Sequence, residues 1–307
     1  MAAGNSRVSR ALRNAEFPMR APTVPIGVEP PEAPSKVGTD FDTDWARRMP
    51  ARVARLAIHE LVVEPAVRLV ARPKVHGVDR LDRLEGPAVF APNHHSHLDT
   101  PLLLRTIPEP WRHKAVVAAA SDYFFTSRVT GAASAIVLNA VPIERQRINR
   151  SSAAAVADLV LEGWSLVIFP EGGRSPDGWG QEFRGGAAYV ALRCGVPLVP
   201  VHIDGTNRVL PKGTRRPHPQ QVTVTFGEPM RPDEGESARR LSARLERAVA
   251  ALGDETATDW WTARKRAHAG TSPSLRGPET TSWRRAWAVG AAEDARGERR
   301  RRRWPPI

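Results

Sequence analysis

Residues 87–100 read PAVFAPNHHSHLDT, and the two halves of that stretch follow different rules. Pro87–Ala91 is a short apolar run, long enough for a strand and too short for a helix. Asn93-His94-His95-Ser96-His97-Leu98-Asp99 then gathers the densest cluster of polar side chains in the chain. A buried strand that opens through a polar loop toward a helix is the repeating unit of α/β sheets, and reactive groups collect at that end.

The same grammar continues in both directions. Ala115–Ala119, Ile136–Ile143 and Ser165–Phe169 read as strands. The spacing predicts a helix over Ser151–Glu162, with Ser151 or Ser152 as its N-cap and Gly163 as its stop. Gly185–Cys194 reads as a helix running through Gly195 into the strand Pro197–Ile203. Val222, Val224 and Phe226 alternate as one face of a strand, and Leu241, Leu245, Val249 and Leu252 mark an amphipathic closing helix. Upstream, Trp45 to Val70 places Leu56, Val63, Val67 and Val70 at helical spacing among five arginines, with Pro65 expected to kink or split the helix. Strand and helix in alternation predict an α/β fold: a single domain with a largely parallel central sheet flanked by helices.

Charge divides the chain. Lys plus Arg number 45 against 33 Asp plus Glu, a net charge of +12, which favours an anionic partner such as a phosphorylated metabolite, a membrane surface or nucleic acid. Residues 1–45 hold 5 basic and 6 acidic side chains with six prolines, and read as a disordered leader. Residues 46–253 carry the apolar periodicity of a folded domain, and residues 254–307 form a basic tail holding five of the nine tryptophans. The single cysteine, Cys194, excludes a disulfide framework and a cysteine zinc cage. No apolar run reaches the roughly 18–20 residues that span a bilayer, and no secretory signal follows the start, so a cytoplasmic protein is expected.

Two readings of the histidine cluster carry chemistry. His94 and Asp99 would lie about 140° apart on a continuous helix, but a turn between them would fold the carboxylate onto the imidazole. Asp99 would then hold the tautomer while the other ring nitrogen takes a proton, the base half of a triad. No G-x-S-x-G elbow accompanies it, so the nucleophile would come from the substrate. Alternatively His94/His97 and His95/Asp99 have helical metal-ligand spacing.

Three more clusters follow strands. In Phe169-Pro170-Glu171-Gly172-Gly173-Arg174-Ser175 the glycines permit close backbone approach and Arg174 can grip a phosphate, while Glu171 can fix a substrate hydroxyl or anchor a basic group. No Lys-Ser/Thr follows, so this is not a nucleotide P-loop. Val141-Pro142-Ile143-Glu144-Arg145 offers Arg145 as a second phosphate clamp or as a plain surface arginine. Val196–Val201 reads as buried strand.

In this order the clusters resemble the glycerolipid acyltransferase family, typified by 1-acyl-glycerol-3-phosphate acyltransferases. Asn93 to Asp99 matches its N-H-x-S-x-x-D block with Ser96 in place, and Asn139 to Arg145 fits the closing Ile-acid-Arg of the second. Phe169 to Ser175 is close to F-P-E-G-T-R-S, with Gly173 where Thr is usual, and Val196 to Val201 fits the fourth block. Phe226-Gly227-Glu228-Pro229 is similar to the family's strand-ending turn, so the resemblance covers roughly residues 74–230. The second block departs from the pattern, with Asn139 and Pro142 where Gly and an aromatic are usual.

The resemblance implies acyl transfer from acyl-CoA or acyl-carrier protein to the hydroxyl of a lysophospholipid, giving phosphatidic acid. His94 would be the base and Asp99 its orienting partner. Asn93, Ser96, Arg145, Glu171, Gly172, Gly173 and Arg174 would bind substrate, and no metal or cofactor is required. The acceptor is a membrane lipid, so the expectation is a peripheral protein on the inner face of the cell membrane, touching an anionic surface through the helix at Arg52–Val70 or the Trp/Arg tail. The rivals are a metal-dependent hydrolase using His94, His95, His97 and Asp99, and a non-enzymatic membrane or nucleic-acid binding module. Nothing matches a nucleic-acid-binding signature, so no nucleic-acid partner is expected.

Overall fold

The computed structural model of the protein describes residues 38–144, 150–175, 177–211, 214 and 216–278. In chain order its strands are β1 (Lys74–His76), β2 (Val89–Pro92), β3 (Ala115–Ala120), β4 (Ala140–Ile143), β5 (Ser165–Val167), β6 (Leu198–Asp204) and β7 (Thr223–Phe226). Its principal helices are α1 (Met49–Ile58), α2 (Glu64–Ala71), α3 (Asp99–Thr106), α4 (Arg128–Leu138), α5 (Arg150–Leu161), α6 (Gly186–Cys194), α7 (Ala238–Ala257) and α8 (Trp260–His268).

The strands form one sheet in the order β1-β7-β6-β2-β5-β3-β4. β6, β2, β5, β3 and β4 run parallel; β7 pairs antiparallel with β6, and β1 follows β7. β2 lies centrally, with Phe90 opposite Val199 of β6 and Val167 of β5. The period-2 alternation sends Phe90 to the face covered by α2 and α3, and Val89 and Ala91 to the face covered by α5, α6 and α7. Burial on both faces explains why these strands read as continuous apolar runs. The predicted closing helix is α7: Ser237 caps it by accepting from the Arg240 N–H, and Leu241, Leu245, Val249 and Leu252 are all buried.

Four expectations shift. Ile136–Ile143 is not one strand: α4 runs to Leu138, Asn139 turns the chain at φ +51°, and only Ala140–Ile143 is extended. Asparagine tolerates that left-handed conformation, and its Nδ2 donates to Ala115 O at 2.8 Å. Pro65 does not break the N-terminal helix outright. A π-turn at His59–Val63 joins α1 to α2 just before it, a local widening of the kind helices use to absorb a lost donor.

The other two concern boundaries. The leader's described end packs on the domain, with Phe41 against Phe125 at 5.4 Å and Gly38 N donating to Phe125 O. The division at 253/254 falls inside α7. Beyond it, α8 buries Ala263, Arg266 pairs with the buried Asp254 at 2.7 Å, and Leu275 joins the core beside α7. Residues 1–37, Arg145, Trp283, Trp287, Trp304 and Arg299–Arg303 lie outside the described residues.

Candidate active site

The site forms where β2 ends. Asn93, fully buried, donates through Nδ2 to Ile203 O (2.9 Å) and accepts at Oδ1 from Ile203 N (2.7 Å). Its amide copies one more rung of the β2–β6 ladder and fixes where the loop starts. Asn93 is therefore a scaffold residue, not the substrate contact expected. Ser96 is buried too, its hydroxyl donating to Leu210 O at 2.9 Å, so it ties the loop to the segment after β6.

Asp99 opens α3 and is completely buried. One oxygen, Oδ2, accepts from the His95 N–H (2.7 Å), the Ser96 N–H (2.8 Å) and His94 Nδ1 (2.9 Å). Those two backbone donors pull the carboxylate back over the loop, so the predicted turn brings Asp99 onto His94. Burial works against the charged carboxylate, but the hydrogen bond and charge of His94 and the Ser96 N–H outweigh it and hold Asp99 below the usual range. His94 stacks on Phe169 at 4.1 Å and lines a cleft, and its Nε2 has no protein partner among the described residues.

The second loop is braced to the first. Glu171 is 1% exposed; Oε1 accepts from His94 N (2.8 Å) and Oε2 from Gln181 N (2.9 Å). Ser175 N donates to His94 O at 2.9 Å. Glu171 thus corrects the expectation of a substrate contact: it holds the histidine loop in place. Burial pushes its pKa up to about 8, against the pull of those two N–H donors.

Gly172 and Gly173 line the cleft. Gly172 has φ +70°, and a Cβ there would sit 3.1 Å from the Arg184 guanidinium. At Gly173 a Cβ would meet nothing within 4 Å, so the threonine usual in the family pattern is sterically admissible. Arg174 is half-buried and lies near His97, whose pKa is lowered first by burial and then by the charges of Arg174 and His94. Arg184 is the arginine that lines the cleft among the described residues, and sequence reasoning missed it. A signal existed: a cation just before the helix Gly186–Cys194 sits at the end where the macrodipole favours anions.

The cleft is a groove partly open to solvent. One wall is the small apolar run Val117–Ala120 of β3, closed by Phe124, Leu138 and Ile143; His94, Glu144 and Arg184 are its polar rim. Such a space suits a hydrocarbon chain with an anionic end.

The alternative metal set does not converge. His97 Nε2 bonds the Tyr123 hydroxyl at 2.8 Å, and the His95 ring lines a different cavity beside His202. Among the described residues no three His, Cys, Asp or Glu side chains are placed to hold one ion.

Residues 72–204 match the family model described as Acyltransferase. That stretch is similar to the acyltransferase family. The chain is 31% identical over 142 residues to a chloroplastic 1-acyl-sn-glycerol-3-phosphate acyltransferase of Brassica napus, covering 46% of this chain and 39% of that protein. It is 31% identical over 119 residues to the human 1-acyl-sn-glycerol-3-phosphate acyltransferase beta, covering 38% and 40%. The chain thus spans about two fifths of the length of these curated relatives. The fold matches the crystal structure of the 1-acyl-sn-glycerophosphate (LPA) acyltransferase from Thermotoga maritima with TM-score 0.53 and 25% identity, over 70% of this chain and 83% of that one.

Proposed function

We propose that the protein transfers a fatty acyl group from a thioester, acyl-CoA or acyl-carrier protein, to the free hydroxyl of 1-acyl-glycerol-3-phosphate, giving phosphatidic acid. The observation that carries this is the His94–Asp99 couple, oriented through Nδ1 and open at the cleft through His94, with no serine or cysteine elbow beside it. His94 Nε2 takes the proton of the acceptor hydroxyl as that oxygen attacks the thioester carbonyl. The C–S bond then breaks, and the thiolate leaves with the proton returned by the imidazolium. Positioned base catalysis contributes about 10²–10⁴-fold, and holding the two substrates together supplies the rest.

In this reading Arg184 and Arg174 meet the acceptor phosphate, with Arg145 joining them on the sequence reading alone. The apolar wall of β3 takes an acyl chain. Glu171, Asn93 and Ser96 act as positioning residues.

The protein would work as a peripheral protein on the inner face of the cell membrane. Among the described residues no helix is long and apolar enough to cross one. Val53, Leu61, Val62 and Leu69 stand exposed on α1, the π-turn and α2. Trp260 and Trp261 stack at 6.1 Å with Arg264 and Lys265 against their rings, a pairing suited to the headgroup level. The test of the function is free-thiol release from acyl-CoA with a panel of acceptors. Phosphorylated acceptors should react faster than their unphosphorylated counterparts, and Arg184→Ala should raise KM for the former. Equal rates with both would sink the phosphate assignment.

A further inference from the structure

A second cavity, of about 260 Å³, lies at the opposite end of the sheet from His94, beside Ala115 at the start of β3 and Asn139 just before β4. Four arginines line it: Arg52 and Arg55 from α1, Arg105 from the end of α3, and Arg112. Carboxylates neutralise two of them. Arg105 bonds Glu60 at 2.7 Å and also Glu64, and Arg112 bonds Glu109 at 2.5 Å. Arg52 and Arg55 have no carboxylate partner among the described residues. Arg52 lies over the Trp164 ring at 5.6 Å. Arg55 gives Nε and Nη2 to Ile136 O, Ala46 O, Ala135 O and Asn139 Oδ1, while its Nη1 has no protein acceptor among the described residues.

The remaining lining is mixed: Leu56, Leu104, Ala115 and Leu138 stand beside His59, His113, Asn139 and the Arg105-paired Glu60, and α1 carries exposed Met49 and Val53. Two guanidinium groups without a carboxylate partner among the described residues, with leucine side chains beside them, match the two ends of an amphiphile. Burial first, and then the neighbouring charges of Arg47 and Arg52, lower the pKa of Arg55 to about 10.

We propose that this cavity binds the phosphate headgroup of an anionic membrane phospholipid, with Arg52 and Arg55 holding the phosphate and Leu56 against its acyl chains. The proposal rests on the bilayer-docking part of the reading above and not on acyl transfer. Leu138 lines both cavities and is the one residue their linings share, so His94 and Arg184 belong to the first and Arg52 and Arg55 to the second.

The test is calorimetric titration of the full chain with dihexanoyl phosphatidylglycerol below its micelle concentration, a lipid that is neither acceptor nor product of the proposed reaction. Dihexanoyl phosphatidylcholine and inorganic phosphate are the comparison ligands. Phosphatidylglycerol should bind at one site, and Arg52→Glu should weaken it by about tenfold or more, the loss expected for a charge-assisted contact. Arg52→Gln, which keeps a stem over Trp164, should weaken it less and carries the test if Arg52→Glu melts early. His94→Ala should bind as the wild type does. Unchanged binding in both Arg52 variants would overturn the proposal. Loss of binding in His94→Ala would move the ligand to the catalytic cleft, and inorganic phosphate binding as tightly would make this a site for free anions; either result also overturns it. An inactive protein that still binds phosphatidylglycerol this way would leave the site standing while the acyl-transfer reading fell.

Discussion

Asp99 spends one buried oxygen on three donors, two of them backbone N–H groups of the loop that carries His94. An amide at this position can present its oxygen to those N–H groups or its NH₂ to the imidazole, but not both in the native geometry. Asp99→Asn is therefore expected to favour the wrong tautomer of His94 and lower kcat by about 10³–10⁴-fold. Steady-state kinetics on the folded variant checks it, and a loss below tenfold would remove Asp99 from its role. Glu171 has the opposite electrostatic character. Its folded pKa of about 8 lies above the ordinary 4.5, so its contribution to stability is fully present below 4.5 and is lost as pH rises through 8. Melting temperature should fall between about pH 5 and pH 9, and Glu171→Gln, which mimics the protonated carboxyl, should flatten that fall. A wild-type profile that rises across the window would contradict the assignment. The contact between His94 and Asp99 was legible because both residues and the polar loop sit in consecutive sequence after a strand. The true work of Asn93, Ser96 and Glu171 was not, because their partners (Ile203, Leu210 and Gln181) are set by the fold and not by spacing. Arg184 was missed because its one signal, a place just before the helix Gly186–Cys194, depends on a helix boundary and not on a motif.

At the scale of elements, α1 is attached to the sheet layer mainly through polar contacts. It has no buried residue of its own, and Arg55 joins it to the last carbonyls of α4 while His59 reaches Val137 O at 2.7 Å. These side chains satisfy the C-terminal acceptors that a helix leaves open. Arg55→Ala should cost about 2–3 kcal/mol, since it abandons several charge-assisted bonds at once. Denaturant unfolding measures this, and a change within about 0.5 kcal/mol would show that solvent replaces the contact. The sequence pattern found the strands well where apolar runs were short and bounded by Gly or Pro, as for β2 and β6. It failed over Ile136–Ile143, where the end of a helix and the start of a strand are both apolar and one Asn in the left-handed conformation divides them. Periodicity alone cannot place that division.

For the molecule as a whole, the largely parallel sheet puts His94 and the second loop at the ends of neighbouring strands β2 and β5, which is why residues 77 positions apart share a hydrogen bond. The domain limits were the least legible feature. Leu275 and Ala263 are isolated apolar residues in a polar, basic stretch, and only the groove beside α7 makes them core. Exposed Val53 (57%) and Leu61 (76%) are a whole-molecule property as well, since nothing in the described chain covers them. Val53→Asp with Leu61→Asp should reduce sedimentation with anionic vesicles several-fold and leave the melting temperature near the wild-type value. Vesicle binding that is unchanged, or absent in the wild type, would take the bilayer out of the account.

The central claim is that His94 activates a substrate hydroxyl and that no acyl group resides on the protein. Thiol release from acyl-CoA, followed from the first turnover with and without lysophosphatidic acid, tests it most directly. Release should require the acceptor, show no burst without it, and fall by about 10³-fold or more in His94→Ala. One equivalent of thiol released per protein in the absence of acceptor, or an undiminished rate in His94→Ala, would contradict it.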